Sequence, residues 1–187
     1  GAPYEVYSLH DLPKLSSLDR YRFLIFTSLF ELTPEKEEIL KKYVLKNNRS
    51  ILWLYAPGII RDGVLDETNC EKLTGLPYVA SGRTAKKMDG WTSHYIHEYE
   101  QITPALLKSL ASESGVTLYT DREIPVYAAG NLLAVHTKDG DIGNLKIPGS
   151  YRSAVELFSD TIHPIENGML TYPFASPDTV LFELKTS

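Results

Sequence analysis

The sequence predicts an α/β fold with a small antiparallel β region at its C-terminal end, and three observations predict it. A strand, a helix and a second strand follow one another with short connections between Tyr21 and Tyr55, the order that a right-handed crossover places between parallel strands. Two later segments, DETNCEKLTGL and TPALLKSLASESG, carry helix start and stop residues. After about Arg122 the helix signals cease, and short β-prone runs alternate with Gly, Pro, Asn and Asp. The expected division is an α/β domain over 1–122 and an all-β region over 123–187.

Taken in order, YEVYSL (Tyr4 to Leu9) is short and β-prone, and HDLPKLSSLD is a polar connection with a helical turn. YRFLIFT (Tyr21 to Thr27) has the continuous apolar run of a strand buried on both faces. In LTPEKEEILKKYVLKNN, Thr33 can cap, Pro34 suits the first helical position, and Glu37 or Glu38 falls in the first turn. Ile39, Leu40, Tyr43 and Val44 then form one apolar stripe, which Asn47-Asn48 ends. Lys41, Lys42, Lys46 and Arg49 read as the solvated face and end of that helix. SILWLY is a second buried strand.

The second helix is expected to have Asp66 as cap, Leu73 facing inward and Gly75 as its stop. The third starts at Thr103-Pro104 and ends at Gly115, before a short strand VTLY. Between them GRTAKKMDGW reads as an exposed loop and SHYIHEYEQI as a strand. The remaining runs, IPVYAAG, NLLAVHT, GNLKIPG, YRSAVELFS, DTIHPI, GMLTYPF and TVLFELK, are strands with hairpin punctuation, GDIGN (Gly140 to Asn144) being a turn.

The chain has 187 residues, 43% of them hydrophobic and 23% charged, which is the make-up of a polypeptide folded throughout. Its 24 acidic and 19 basic residues are interspersed, for a formal charge of -5, so nucleic acid and anionic membrane are not expected partners. No apolar run approaches the ~20 residues that span a bilayer, and the chain reads as soluble. The single Cys70 leaves the compartment open, with a periplasmic or secreted larger enzyme as a candidate. The start at Gly1-Ala2-Pro3 suits a segment cut from something longer.

Chemistry is sparse. A nucleophile elbow places Cys or Ser at a tight turn after a strand, but the turn after SILWL offers Tyr55, Ala56, Pro57 and Gly58. Pro57 also lacks the N–H that an oxyanion hole would use. Cys70, mid-helix, reads as a small buried hydrophobe rather than a nucleophile. His94 and His97 point to opposite faces if they lie on a strand, and no ligand set completes a metal site. GxGxxG and GxxxxGK[ST] are both absent, so no cofactor is expected. The one surplus is aromatic: Trp53, Tyr55, Tyr78, Trp91, Tyr95 and Tyr99 crowd the middle third. Trp53 packs in its strand, whereas Trp91, in a polar Gly-containing stretch, is the expected exposed contact. Trp91, Tyr55, Pro57 and Tyr95 form the candidate sugar-contact or interface set.

APYEVYSLHDL, YRFLIFTSLFELTPEKEEIL and SILWLYAPGII, in that order and spacing, resemble the β-galactosidase trimerisation domain of bacterial glycoside hydrolases. That domain is similar to a class I glutamine amidotransferase without its cysteine. The run from NLLAVHTKDG to SPDTVLFELK is similar to the small all-β C-terminal region of such enzymes. The resemblance implies a three-layer, flavodoxin-like or amidotransferase-like sheet. It also implies a non-catalytic accessory role in oligomer assembly or framing of an active site, because the family's catalytic carboxylates lie on a barrel that this chain lacks. The implied partners are that catalytic barrel in the same polypeptide, with a second copy of the chain and a carbohydrate as further candidates. An independent carbohydrate-binding module using exposed aromatics is the alternative.

Overall fold

The computed structural model describes every residue except Ser16, Ala80, Ser81 and Ser187. Ser16 belongs to HDLPKLSSLD, and Ala80 and Ser81 to the stretch between the second helix and SHYIHEYEQI, so those positions lie outside the described residues. The chain forms two units, one of Val6–Val116 and one of Gly1–Glu5 with Thr117–Ser187.

The first unit is built on a four-stranded mixed sheet. Its strands β1 (Phe23–Phe26) and β2 (Arg49–Leu54) are parallel, with Phe23 opposite Ser50 and Phe26 opposite Trp53. The crossover between them is α1 (Pro34–Ile39), started by the side chain of Thr33, which accepts from the N–H of Lys36, with Pro34 next. The helix continues as a π-helical turn over Leu40–Val44. Asn47 and Asn48 then leave it with φ of 62° and 53°, a conformation asparagine tolerates better than most residues. After β2 comes a small hairpin, β3 (Ile60–Arg61) with β4 (Val64–Leu65), and then α2 (Thr68–Thr74). Asp66 accepts from the N–H of Thr68 at 2.9 Å, and Gly75 ends the helix at φ 71°.

Strand β5 (Thr84–Lys87) runs antiparallel to β6 (Trp91–Ile96), which lies parallel to β2, giving the order β1-β2-β6-β5. The unit closes with α3 (Pro104–Glu113), capped by Thr103 onto Leu106 and followed by Gly115 at φ 75°. Side chains alternate across the sheet, as the pleat requires. Ile51, Trp53, Trp91 and Tyr95 share a core with Ile39, Leu40 and Val44, whereas Leu52, Leu54 and Ile96 share another with Leu110 of α3. Helices therefore cover both faces.

The second unit is one antiparallel sheet of seven strands, curled as a half-barrel. They are β7 (Val126–Ala129), β8 (Leu132–Thr137), β9 (Asp141–Lys146), β10 (Ser153–Glu156), β11 (Thr161–Glu166), β12 (Met169–Phe174) and β13 (Asp178–Lys185), in the order β7-β8-β13-β10-β11-β12-β9. Leu133, Val135, Leu145, Ala154, Leu170, Val180 and Phe182 belong to the unit's buried apolar cluster.

Several expectations are corrected. YEVYSL forms no strand; Tyr4 and Val6 stand 83% and 84% exposed, so β propensity alone did not find an edge to pair with. VTLY is likewise irregular. GRTAKKMDGW is not a free loop: it supplies β5 and the turn at Gly90. Its lysines mask a strand because they sit on a sheet edge, where charge suppresses further pairing. GDIGN is not a hairpin turn but the body of β9, with Gly143 opposite Tyr172 of β12. Arg49 is not solvated; it is buried in β2, and its guanidinium donates to the carbonyls of Tyr21, Tyr43 and Val44. It thus satisfies carbonyls that the end of a helix leaves unpaired.

Candidate functional site

In a sheet with parallel strands, the carboxyl ends of those strands are where loops diverge and ligands bind. Here β1, β2 and β6 end side by side, and the residues just beyond them are aromatic. Tyr55 follows β2 with φ 66°, a left-handed conformation that a bulky residue adopts only under constraint. Its N–H remains bonded to the carbonyl of Ile96 at 2.9 Å, so the kink turns the side chain while the ladder continues. The Tyr55 ring stacks on His97 (centroids 5.4 Å, planes 20° apart) and on Tyr99 (5.7 Å, 19°). Phe30, from the loop after β1, meets it edge-on at 5.9 Å, and Tyr78 stands edge-on to His97 at 5.1 Å.

Beneath this layer lies Tyr95, 1% exposed. Its hydroxyl donates to the carbonyl of Tyr55 at 2.7 Å and lies 2.9 Å from Nδ1 of His97, which is itself 3.2 Å from the same carbonyl. The carbonyl can only accept, and the hydroxyl's single proton is directed to it. All three contacts are satisfied only if Nδ1 of His97 carries a proton. Nε2, on the far side of the ring, is then the acceptor of the neutral imidazole. Burial holds the Tyr95 phenol well above the ordinary tyrosine range, so it stays a donor, and burial raises Tyr78 as well. Tyr99 is fixed by its hydroxyl, which donates to the carbonyl of Thr27 at 3.1 Å. The upper layer remains open, with Tyr55 43%, Tyr99 48% and Phe30 36% exposed.

Of the sequence-predicted set, Tyr55 is exposed at this edge, Tyr95 is its buried support, and Pro57 is buried in the following turn. The expectation that Trp91 is exposed is corrected: it is 7% exposed and packs edge-on against Trp53 at 6.3 Å. The turn at Gly90 precedes it, but Trp91 is already the first residue of β6 and its ring falls on the core side. His97 and Phe30 were outside that set. Both follow the ends of parallel strands, Phe30 after β1 and His97 after β6, which is the signal in the sequence that marks them.

Among the described residues, the edge holds no nucleophile paired with a base. Cys70 is fully buried, and burial pushes its thiol up to about 11, with Glu67 adding to the effect, the opposite of an activated thiol. His94 faces the core below α3, on the other side of the sheet from Tyr95. Among the described residues, no three His, Cys, Asp or Glu side chains gather as a metal site. No helix of the described residues is long and apolar enough to cross a membrane.

No family model matches this chain, and neither does any curated protein. Solved structures do. The E323A catalytic mutant of Gan42B, a GH42 β-galactosidase from G. stearothermophilus, matches with a TM-score of 0.60 at 10% identity, over 90% of this chain and 33% of that one. The β-galactosidase of Bacillus circulans sp. alkalophilus matches at 0.57 and 14% identity, over 90% and 34%. That of the psychrophilic Marinomonas ef1 gives 0.53 and 12%, over 90% and 30%. This chain therefore has the fold of a part of these β-galactosidases and spans about a third of their length.

Proposed function

We propose that this chain is a non-catalytic accessory module of a β-galactosidase-like glycoside hydrolase, acting in oligomer assembly or in framing the active site. The observation that carries the reading is the likeness to one third of a β-galactosidase, in a chain whose strand ends hold aromatic rings instead of reacting groups. Glycoside hydrolysis ordinarily takes two carboxyl groups facing each other across the scissile bond, and the candidate edge has no such pair among its ring contacts and hydrogen bonds. The partner that would supply them is a catalytic barrel in the same polypeptide.

The α/β unit further reads as an amidotransferase-like, flavodoxin-like sheet whose elbow has lost its nucleophile. The backbone after β2 keeps the positive φ of such an elbow, but the residue there is Tyr55 and a hairpin follows rather than a helix. Trimerisation through this unit accords with the same resemblance.

An immunoblot of the source cells with an antibody raised against this chain tests the reading. A band far larger than 21.0 kDa is the expected result, and light scattering of that larger protein then gives its subunit number. A band at the mass of this chain alone would overturn the module reading.

A further inference from the structure

Resting on the assembly part of the accessory reading, we propose that the outer face of the β unit is a self-association surface that seats a second copy of this chain. An antiparallel sheet with one face in water ordinarily turns polar residues outward. One half of this sheet does so and the other half does not. The outward positions alternate with those of the buried cluster, and the strand register lines them up in rows. Tyr127, Ala134 and Leu181 stand side by side on β7, β8 and β13, joined by Leu157, whose N–H donates to the carbonyl of Leu181. The next row, from β7 to β11, is Ala129, Leu132, Glu183, Val155 and Ile162. Across β12 and β9 the outward positions turn mostly polar, with Glu166, Met169, Lys146, Thr171 and Asn144. Tyr127, Leu132, Leu157, Phe158 and Ile162 are all exposed, and apolar side chains gathered in this way mark a contact surface.

Charge and size say what fits there. The chain carries a formal charge of -5, so two copies repel over most of their surface. Among the described residues, the charges on the two apolar rows and on the row beyond them (Lys185, Ser153, Pro164) are Glu183 and Lys185, which pair with each other. The face is therefore neutral, and it can meet its own image about a two-fold axis. Five strands ~4.8 Å apart, each of about six residues at ~3.4 Å, give roughly 500 Å² of plane per copy. Two copies then cover about the 1,000 Å² that a specific interface requires. One border of the patch is set before any contact forms: the Glu156 carboxylate accepts from the N–H groups of Phe158 at 2.9 Å and Ser159 at 2.8 Å, which fixes the turn carrying Phe158. Less freedom is lost on association as a result.

The test is sedimentation equilibrium of the whole chain from micromolar to submillimolar concentration. A species of twice 21.0 kDa is expected, and Ile162→Glu should weaken its formation at least about thirtyfold, as loss of a central contact does. Ile142→Glu changes an isoleucine that is just as exposed, 66% against 67%, but lies on β9 in the polar half of the sheet; it should leave association unchanged. In the wild type, the carbon-13 methyl signals of Ile162 should broaden as concentration rises while those of Ile142 stay sharp, a readout independent of how any variant folds. A mass of 21.0 kDa at every concentration, or equal loss of association in both variants, would overturn the face. So would a trimer indifferent to Ile162→Glu, which would leave the accessory reading standing. A small band in the immunoblot together with dimers sensitive to Ile162→Glu would sink the module and keep the face.

Discussion

A Cβ placed on Gly143 would collide with Cε2 of Phe174 and lie 2.8 Å from its Cδ2. Glycine in the middle of β9 is thus demanded by the neighbouring ring, which itself is 5% exposed and packed against Tyr172 at 5.0 Å. Gly143→Ala should cost about 1–3 kcal/mol by overpacking. Urea unfolding followed by circular dichroism reads it, and the loss should be smaller when Phe174→Leu is added. Equal stability of Gly143→Ala and wild type would mean that the ring moves freely.

Arg49 donates to the carbonyls of Tyr21, Tyr43 and Val44, the last shared with the N–H of Lys46, while Asp19, its ionic partner at 3.3 Å, is 73% exposed. The guanidinium acts through its fork of donors more than through its charge. Arg49→Met should destabilise by about 2–4 kcal/mol, because several buried acceptors lose their partners. Arg49→Lys should recover only a minor part of this, since one ammonium cannot span the same carbonyls. Full recovery by lysine would show that charge alone matters.

His94 is 6% exposed and its Nδ1 has no hydrogen-bond partner. Burial first, then the Arg83 charge, lowers its pKa from the ordinary 6.5, with Glu113 acting in the opposite sense. A depressed folded value means that the unfolded chain binds the proton more readily. The associated stability is complete above 6.5 and is lost as the pH falls from there through the folded value. Melting temperatures should decline over that interval in the wild type and less steeply in His94→Leu. At neutral pH that variant should be no less stable, because it removes an unpaired buried nitrogen. Parallel pH profiles would contradict this.

Cys70 should be silent toward Ellman's reagent in the folded protein at pH 8 and react fully in denaturant. Its thiol is wholly buried and raised to about 11, so both access and thiolate are lacking. Rapid labelling of the folded chain would show that α2 opens readily.

The legible parts of the fold were those where a local signal and the tertiary outcome agree. Thr33-Pro34 and Thr103-Pro104 cap helices in the structure as their chemistry requires, and all seven C-terminal β-prone runs overlap a strand, though β9 begins inside the expected GDIGN turn. The illegible parts were those where position in the sheet decides. Thr84–Lys87 is a strand because β6 offers an open edge, and nothing in TAKK announces it. Arg49 resembles its solvated neighbours in sequence, but it lies one step into a buried strand. At the candidate edge, Tyr55 and Tyr95 were named from the sequence, while the contact of Tyr95 with His97 was hidden although SHYIHEYEQI read as a strand, because it is closed by the carbonyl of Tyr55 beyond a different strand. Trp91 misled for the reason that a glycine turn can end one residue before a core position.

The carbonyl of Gly1 accepts from the N–H of Tyr119 at 2.9 Å, and Gly1–Glu5 belongs with the β unit. Along the chain, the α/β unit is consequently an insertion between two parts of the other, beginning after Glu5 and ending before Thr117. All seven strands of the half-barrel lie between Val126 and Lys185, so its sheet can pair without that insertion, and only the attachment of Gly1 to Tyr119 carries the closure entropy of so long a loop.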